Sequence, residues 1–147
     1  MSHPPLVLEP LAELRVEIGE PIDAGPVPGG RRRIIPITGG TVSGLLEGTV
    51  VPGGADWSLQ RGDGTGTVSA TYPVRLTDGT VLTITNRGTV AAHDGAPLGL
   101  TAIRVEAPEG PWAYLNDTPV VGSLVLALGE ERPAVRLRFY TVRAGTS

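Results

Sequence analysis

Neither cysteine nor lysine occurs anywhere in the chain, and all twelve basic residues are arginine. The first absence removes disulfides, thiolate catalysis and cysteine-ligated zinc or iron–sulfur centres. The second removes a lysine Schiff base, a pyridoxal attachment site and a phosphate-loop lysine. Histidine is nearly absent too, with only His3 and His93, so a histidine-based metal site is not expected. No G-x-S-x-G elbow is present, and His93 sits in the loop-like "AAHDGAP", which argues against a serine triad. No apolar run is long enough to cross a bilayer. The opening "MSHPPLVLEP" lacks a basic stretch followed by an apolar one, so no signal peptide is expected and a cytoplasmic location is the default. The net charge of −3 offers no general nucleic-acid footprint.

What is abundant is glycine and proline, 21 and 14 of 147 residues. They fall between short apolar or alternating runs, the pattern of strands joined by turns. "ELRVEIGE" places Leu14, Val16 and Ile18 on one face and Glu13, Arg15 and Glu17 on the other. "RIIPITGG" reads as a short strand ending at Gly39-Gly40, "TVSGLLEGTVV" as the next, and residues 91–100 as a loop. "WAYLNDTPVVGSLVLALG" holds one or two more strands, and "AVRLRFYTVRA" closes the chain with clean alternation. The fold class expected is all-β: a single antiparallel barrel of about eight to ten strands over residues 1–147, with no significant helix and with tails at 1–7 and 144–147. Aromatics are only 4% of the chain, which favours a barrel interior left partly unfilled.

The strongest local signal is Asp78-Gly79. Read as a two-residue type I′ turn, it pairs Leu76 with Val81, Val74 with Thr83 and Tyr72 with Thr85. One face then carries Tyr72, Val74, Leu76, Val81, Thr83 and Thr85, and the other Arg75, Leu82 and Ile84. Each face mixes polar and apolar groups, and a one-residue slip would exchange them.

From Leu8 to Gly88 the motifs "RRRIIPITGG", "GGADW" and "DGTVLTITNRG", with Leu115-Asn116 later, resemble the bacterial DUF3237 family, also called UPF0311. The resemblance covers nearly the whole chain. It implies a small β-barrel similar in shape to the allene oxide cyclase-like barrels, and a homodimer, which the cost of exposed sheet edges also favours. The chain departs from the family pattern at Thr71, where an arginine is common, and at Ile103-Arg104-Val105-Glu106, which lacks a phenylalanine.

Seven residues stand out as site candidates. Asp56 sits beside Trp57 in a strand, where aspartate has poor propensity. It reads as a general base, or as a cap on the Gly53-Gly54 turn. Gln60 shares its face, with Ser58 between them, while Trp57, Leu59 and Arg61 take the other. Tyr72 is the second catalytic candidate, as an acid or hydrogen-bond donor, or else a core tyrosine. Tyr114 and Asn116 share a strand face, and an asparagine inside a strand either binds something or ends it. Arg138 holds a carboxylate or enolate if its face is interior and is surface otherwise. Trp57, Gln60, Tyr114, Asn116 and Arg138 are thus the candidate substrate contacts. Without thiol, amine or nucleotide motif, the chemistry open to the chain is acid–base and positional. Cofactor-independent cyclisation, isomerisation or Michael-type addition or elimination on a small apolar or polyketide-like metabolite fits, and a non-catalytic carrier is the alternative.

Overall fold

The computed structural model describes residues 3–146. Ten strands follow one another: β1 (Leu6–Ile18), β2 (Ile22–Val27), β3 (Gly30–Gly44), β4 (Gly48–Val50), β5 (Ala55–Gln60), β6 (Gly66–Leu76), β7 (Val81–His93), β8 (Ala96–Glu106), β9 (Val120–Ala127) and β10 (Ala134–Ala144). They form one antiparallel sheet that runs β1-β10-β9-β8-β7-β6-β4-β3 and closes through β1–β3. The first half of β3 lies between β2 and β5, the second half between β1 and β4. The barrel therefore has eight columns, with β1/β2 and β4/β5 each sharing one.

Three expectations shift by identifiable physics. Gly39-Gly40 does not end a strand. β3 runs through it, and the pairing with β1 slips by one residue between Glu17 and Ile18. A Cβ on Gly40 would lie 1.9 Å from the Arg15 carbonyl oxygen, so only glycine lets the two backbones pass this closely at the corner. The tail expected over residues 1–7 is shorter, because Leu6 and Val7 pair with Ala144 and Arg143. The remainder of that expectation at residues 1, 2 and 147 lies outside the described residues. Residues 91–100 are not a loop but the β7–β8 hairpin.

The Asp78-Gly79 turn holds three residues, not two. Leu76 N–H donates to Thr80 O at 2.8 Å, and only Gly79 has positive φ, +91°. This is the three-residue hairpin with a left-handed third position. The extra residue moves the register by one, to Val74↔Leu82, Tyr72↔Ile84 and Ala70↔Asn86. Leu82 and Ile84 thereby join Tyr72, Val74 and Leu76 on the buried face, while Arg75, Val81 and Thr83 face out. Segregating apolar from polar decides the register over the two-residue turn. The type I′ geometry occurs instead at Asp94-Gly95, where φ is +49° and +81°.

The barrel's two ends differ. Towards the β3–β4 and β6–β7 turns it is packed solid by Leu11, Leu46, Val74, Leu82 and Phe139, all at most 1% exposed. A short 3-10 helix, Ala113–Asp117, caps this end and adds Leu115 to the core. Towards the opposite turns the interior is hollow.

Candidate functional site

The hollow end holds a cavity of about 1010 Å³, open between the β1–β2 junction, the β5–β6 turn, the β7–β8 hairpin and the β9–β10 loop. Its walls are mostly aliphatic, with Val16, Ile35, Ile37, Leu124 and Leu137 among them. Alternation along each strand sets polar groups on these walls in levels. Gln60 stands at the mouth, and one inward step below it Arg33 pairs with Ser58 across β3–β5. One inward step deeper, register aligns Ile35, Asp56, Ala70, Asn86 and Ile103 across five columns. Deeper again lies Tyr72, paired with Ile84. Ala70 is the small residue between Asp56 and Asn86, and it leaves the space over that level open.

Asp56 is half-buried, and its Oδ1 accepts the Ser69 N–H at 2.9 Å across the β5–β6 pair. It does not cap the Gly53-Gly54 turn. Burial raises its pKa above the ordinary aspartate range, opposed by the Ser69 hydrogen bond and by the positive charge of Arg32. The outcome is a carboxylate more basic than one in water. Tyr72 is 2% exposed, and burial drives its phenol pKa well upward. It therefore keeps its proton and acts as a donor. Its hydroxyl, and Oδ1 of the 1%-exposed Asn86, are buried without any hydrogen-bond partner. Buried polar groups almost always have partners, so an orphan donor and an orphan acceptor on residues lining the same cavity set this part of the barrel apart from the rest of the core.

Of the seven expected site residues, Asp56, Gln60 and Tyr72 line this cavity, with Gln60 exposed at its mouth. The other four lie elsewhere. Trp57 is 53% exposed on the outer face, because it alternates with Asp56. Tyr114 and Asn116 are not on a strand but in the 3-10 helix at the closed end, where Tyr114 is half-exposed. Asn116 accepts from Ala107 N–H and donates to the Ala107 and Ala113 carbonyls, all at 2.9 Å, so its polarity is consumed in fastening that helix to β8. Arg138 faces outward and meets Glu13 at 3.3 Å. Asn86, Arg33 and Ser58 were not among the seven, although alternation already sets Ser58 on the face of Asp56 and Gln60. The signal for Asn86 was present: an asparagine in the apolar alternation Leu82, Ile84, Asn86 contradicts strand propensity as much as Asn116 did. Among the described residues no group of three or more His, Asp or Glu is placed to hold a metal ion.

A family model described as "Protein of unknown function (DUF3237)" matches residues 6–142. A UPF0311 protein of Clostridium acetobutylicum is 48% identical over 60 residues, 40% of this chain and 38% of that one. A UPF0311 protein of Bradyrhizobium diazoefficiens is 37% identical over 75 residues, 51% of this chain and 49% of that one. The matched stretches thus span half or less of these curated relatives. Among solved structures, a β-barrel-like protein from Acinetobacter baumannii superposes with a TM-score of 0.88 at 27% identity, covering 97% of this chain and 99% of that one. A protein described as an enzyme from Penicillium herquei superposes with a TM-score of 0.74 at 23% identity, over 97% and 99% of the two chains, a likeness of fold.

Proposed function

The chain belongs to the DUF3237 family, and from that premise we propose that its hollow end binds a small, mostly apolar molecule and transforms it by acid–base and positional catalysis, without a cofactor. The observation that carries this reading is the meeting of Asp56, Asn86 and Tyr72 on three neighbouring strands of a mostly aliphatic cavity. Asp56 is the proton acceptor, its basicity raised by burial. Tyr72 donates a hydrogen bond to a carbonyl or enolate oxygen, and Asn86 accepts one from the same or a neighbouring group. The aliphatic walls hold a flexible substrate in the reacting geometry and exclude water. Cyclisation, isomerisation, and Michael-type addition or elimination all need this set and no more, and the fold is one that an enzyme uses.

The test is a panel of apolar enones and hydroxy-enones incubated with protein and followed by NMR. Asp56→Asn and Tyr72→Phe are expected to cut turnover by about 10²–10⁴-fold, with melting temperature preserved and binding weakened far less than turnover. Binding lost equally in both variants, with no turnover of any panel member, favours a carrier. We propose also that the protein is a cytoplasmic homodimer, as the family resemblance and the sequence suggest. A sedimenting mass near 15.2 kDa removes the dimer.

A further inference from the structure

We infer that the ligand of this cavity is an amphiphilic acid: an apolar body inside the barrel, a carboxylate held at the mouth by Arg33, and a hydroxyl or enolisable carbonyl reaching Tyr72 and Asn86. The inference rests on the cavity reading above. The three consecutive arginines at the start of β3 have different fates. Arg31 is neutralised by Asp23 at 2.6 Å. Arg32 donates to the Trp57 carbonyl at 2.8 Å. Arg33 alternates with Arg32, lines the cavity and is half-buried. Among the described residues it takes part in no ion pair.

Two carboxylates share the cavity lining. Glu20 is exposed on the rim and forms no ion pair with Arg33, and Asp56 lies one level deeper, bonded to Ser69. Arg61, also on the lining at the β5–β6 turn, bonds only the neutral Thr65 hydroxyl, at 3.4 Å. The β3–β5 side of the mouth therefore carries two guanidiniums, Arg33 and Arg61, outside any ion pair among the described residues, while the carboxylates nearest them, Asp23 and Asp63, are held by Arg31 and by Thr65. A guanidinium partly withdrawn from water attracts a carboxylate strongly and grips it with two parallel hydrogen bonds.

The floor supplies the second, independent half of the argument. Tyr72 offers a donor and Asn86 an acceptor, both buried and both without a partner. A hydroxyl or an enol carries both the acceptor that Tyr72 lacks and the donor that Asn86 lacks. Ile37 and Gly54 are hydrogen-bonded neighbours, and Gly54 packs directly on Tyr72, so Ile37 marks the level of the floor on β3. From Arg33 to Ile37 the strand rises about 13 Å at roughly 3.3 Å per residue. With the arginine side chain leaning inward, a ligand whose two polar ends stand on the order of 10 Å apart bridges the levels.

A matched set of probes tests this by calorimetry at pH 7: 10-hydroxydecanoate, decanoate and 1,10-decanediol. The hydroxy acid is expected to bind at least about tenfold more tightly than the diol, with a preference that shrinks as salt is raised. Arg33→Met and Arg33→Gln erase the preference and leave diol affinity unchanged, whereas Arg33→Lys keeps part of it. Tyr72→Phe removes the advantage of hydroxydecanoate over decanoate and leaves the acid-over-diol preference intact. Equal affinity for acid and diol, or a salt-independent preference, overturns the acid and leaves the cavity reading standing. Failure of all three probes to bind up to their solubility limits overturns both.

Discussion

The two ends of this barrel are made from the same strands and the same alternation, yet they treat polar side chains in opposite ways. At the closed end Asn116 satisfies its amide three times over, and the core beside it is aliphatic and aromatic and fully buried. At the open end Asn86 is buried, where Asn116 is exposed, yet it has an acceptor with nothing to bond, next to a tyrosine in the same condition. Asparagine is the same residue in both places, so the difference is one of investment. One end uses polarity to secure the fold, and the other gives up stability to present unspent hydrogen bonds. Volume tells the same story: Phe139, the one phenylalanine, fills the closed end, while the wall of the open end is built from Val, Ile, Leu and Ala around empty space.

Substitutions sharpen this contrast, beginning with the largest effect. Phe139→Ala leaves a hole in the packed end and is expected to cost about 3–5 kcal/mol, read from urea unfolding. Leu126→Ala, on the cavity wall and 44% exposed, stays within about 1 kcal/mol of the parent. Similar losses at both positions would erase the distinction between the ends. Asn116→Ala frees the Ala107 and Ala113 backbone groups and costs about 1–3 kcal/mol, while leaving probe binding unchanged. Asn86→Leu and Tyr72→Phe remove orphaned polar atoms, so unfolding experiments should show them neutral or stabilised by up to about 1 kcal/mol. A loss of more than that would mean these groups already have partners in the free protein.

The smallest effect is one of pH. The folded-state pKa of Asp56 is raised above its ordinary value of 3.8, so the native state holds that proton more tightly than the unfolded chain. The group therefore subtracts stability as pH climbs from near 3.8 through the raised pKa, and subtracts nothing further above it. Asp23, Asp63 and Asp78 shift downward and act in the opposite sense, so the quantity to measure is the difference between Asp56→Asn and the parent. The variant's advantage should grow across that window and then level off. A flat difference would place Asp56 in water.

Much of this was legible in the sequence, and the losses have physical causes. Strand number and barrel class follow from period-2 runs punctuated by glycine and proline, and Asp56, Ser58 and Gln60 share a face because alternation alone fixes it. Faces beyond a turn did not follow. Gly62-Asp63-Gly64 and Thr77-Asp78-Gly79 form the same three-residue loop, in which the aspartate Oδ1 accepts the N–H of the threonine that follows. Asp94-Gly95 forms the tight two-residue one. One dipeptide codes for two registers, and only the pattern on both flanking strands chooses between them. The "WAYLND" segment failed differently: its aromatic residues suit a strand, but Trp112 donates to Asp78 at 3.0 Å, a contact across 34 residues that no local window contains, and Asn116 holds the backbone of Ala107 just after β8. Thr71, where the chain departs from its family, faces outward and leaves the cavity untouched.

The pairing of β1 with both β3 and β10 has a kinetic meaning. Leu6 lies opposite Ala144, so the earliest strand finds its second neighbour only in the last one. Until β10 arrives, β1 offers one satisfied edge and one bare one, and the hollow end has no far wall. Closure is a contact across nearly the full length of the chain, the kind that slows folding most. The pocket is thus among the last features to exist during folding, and the nascent barrel passes through a stage in which its ligand has nothing to bind.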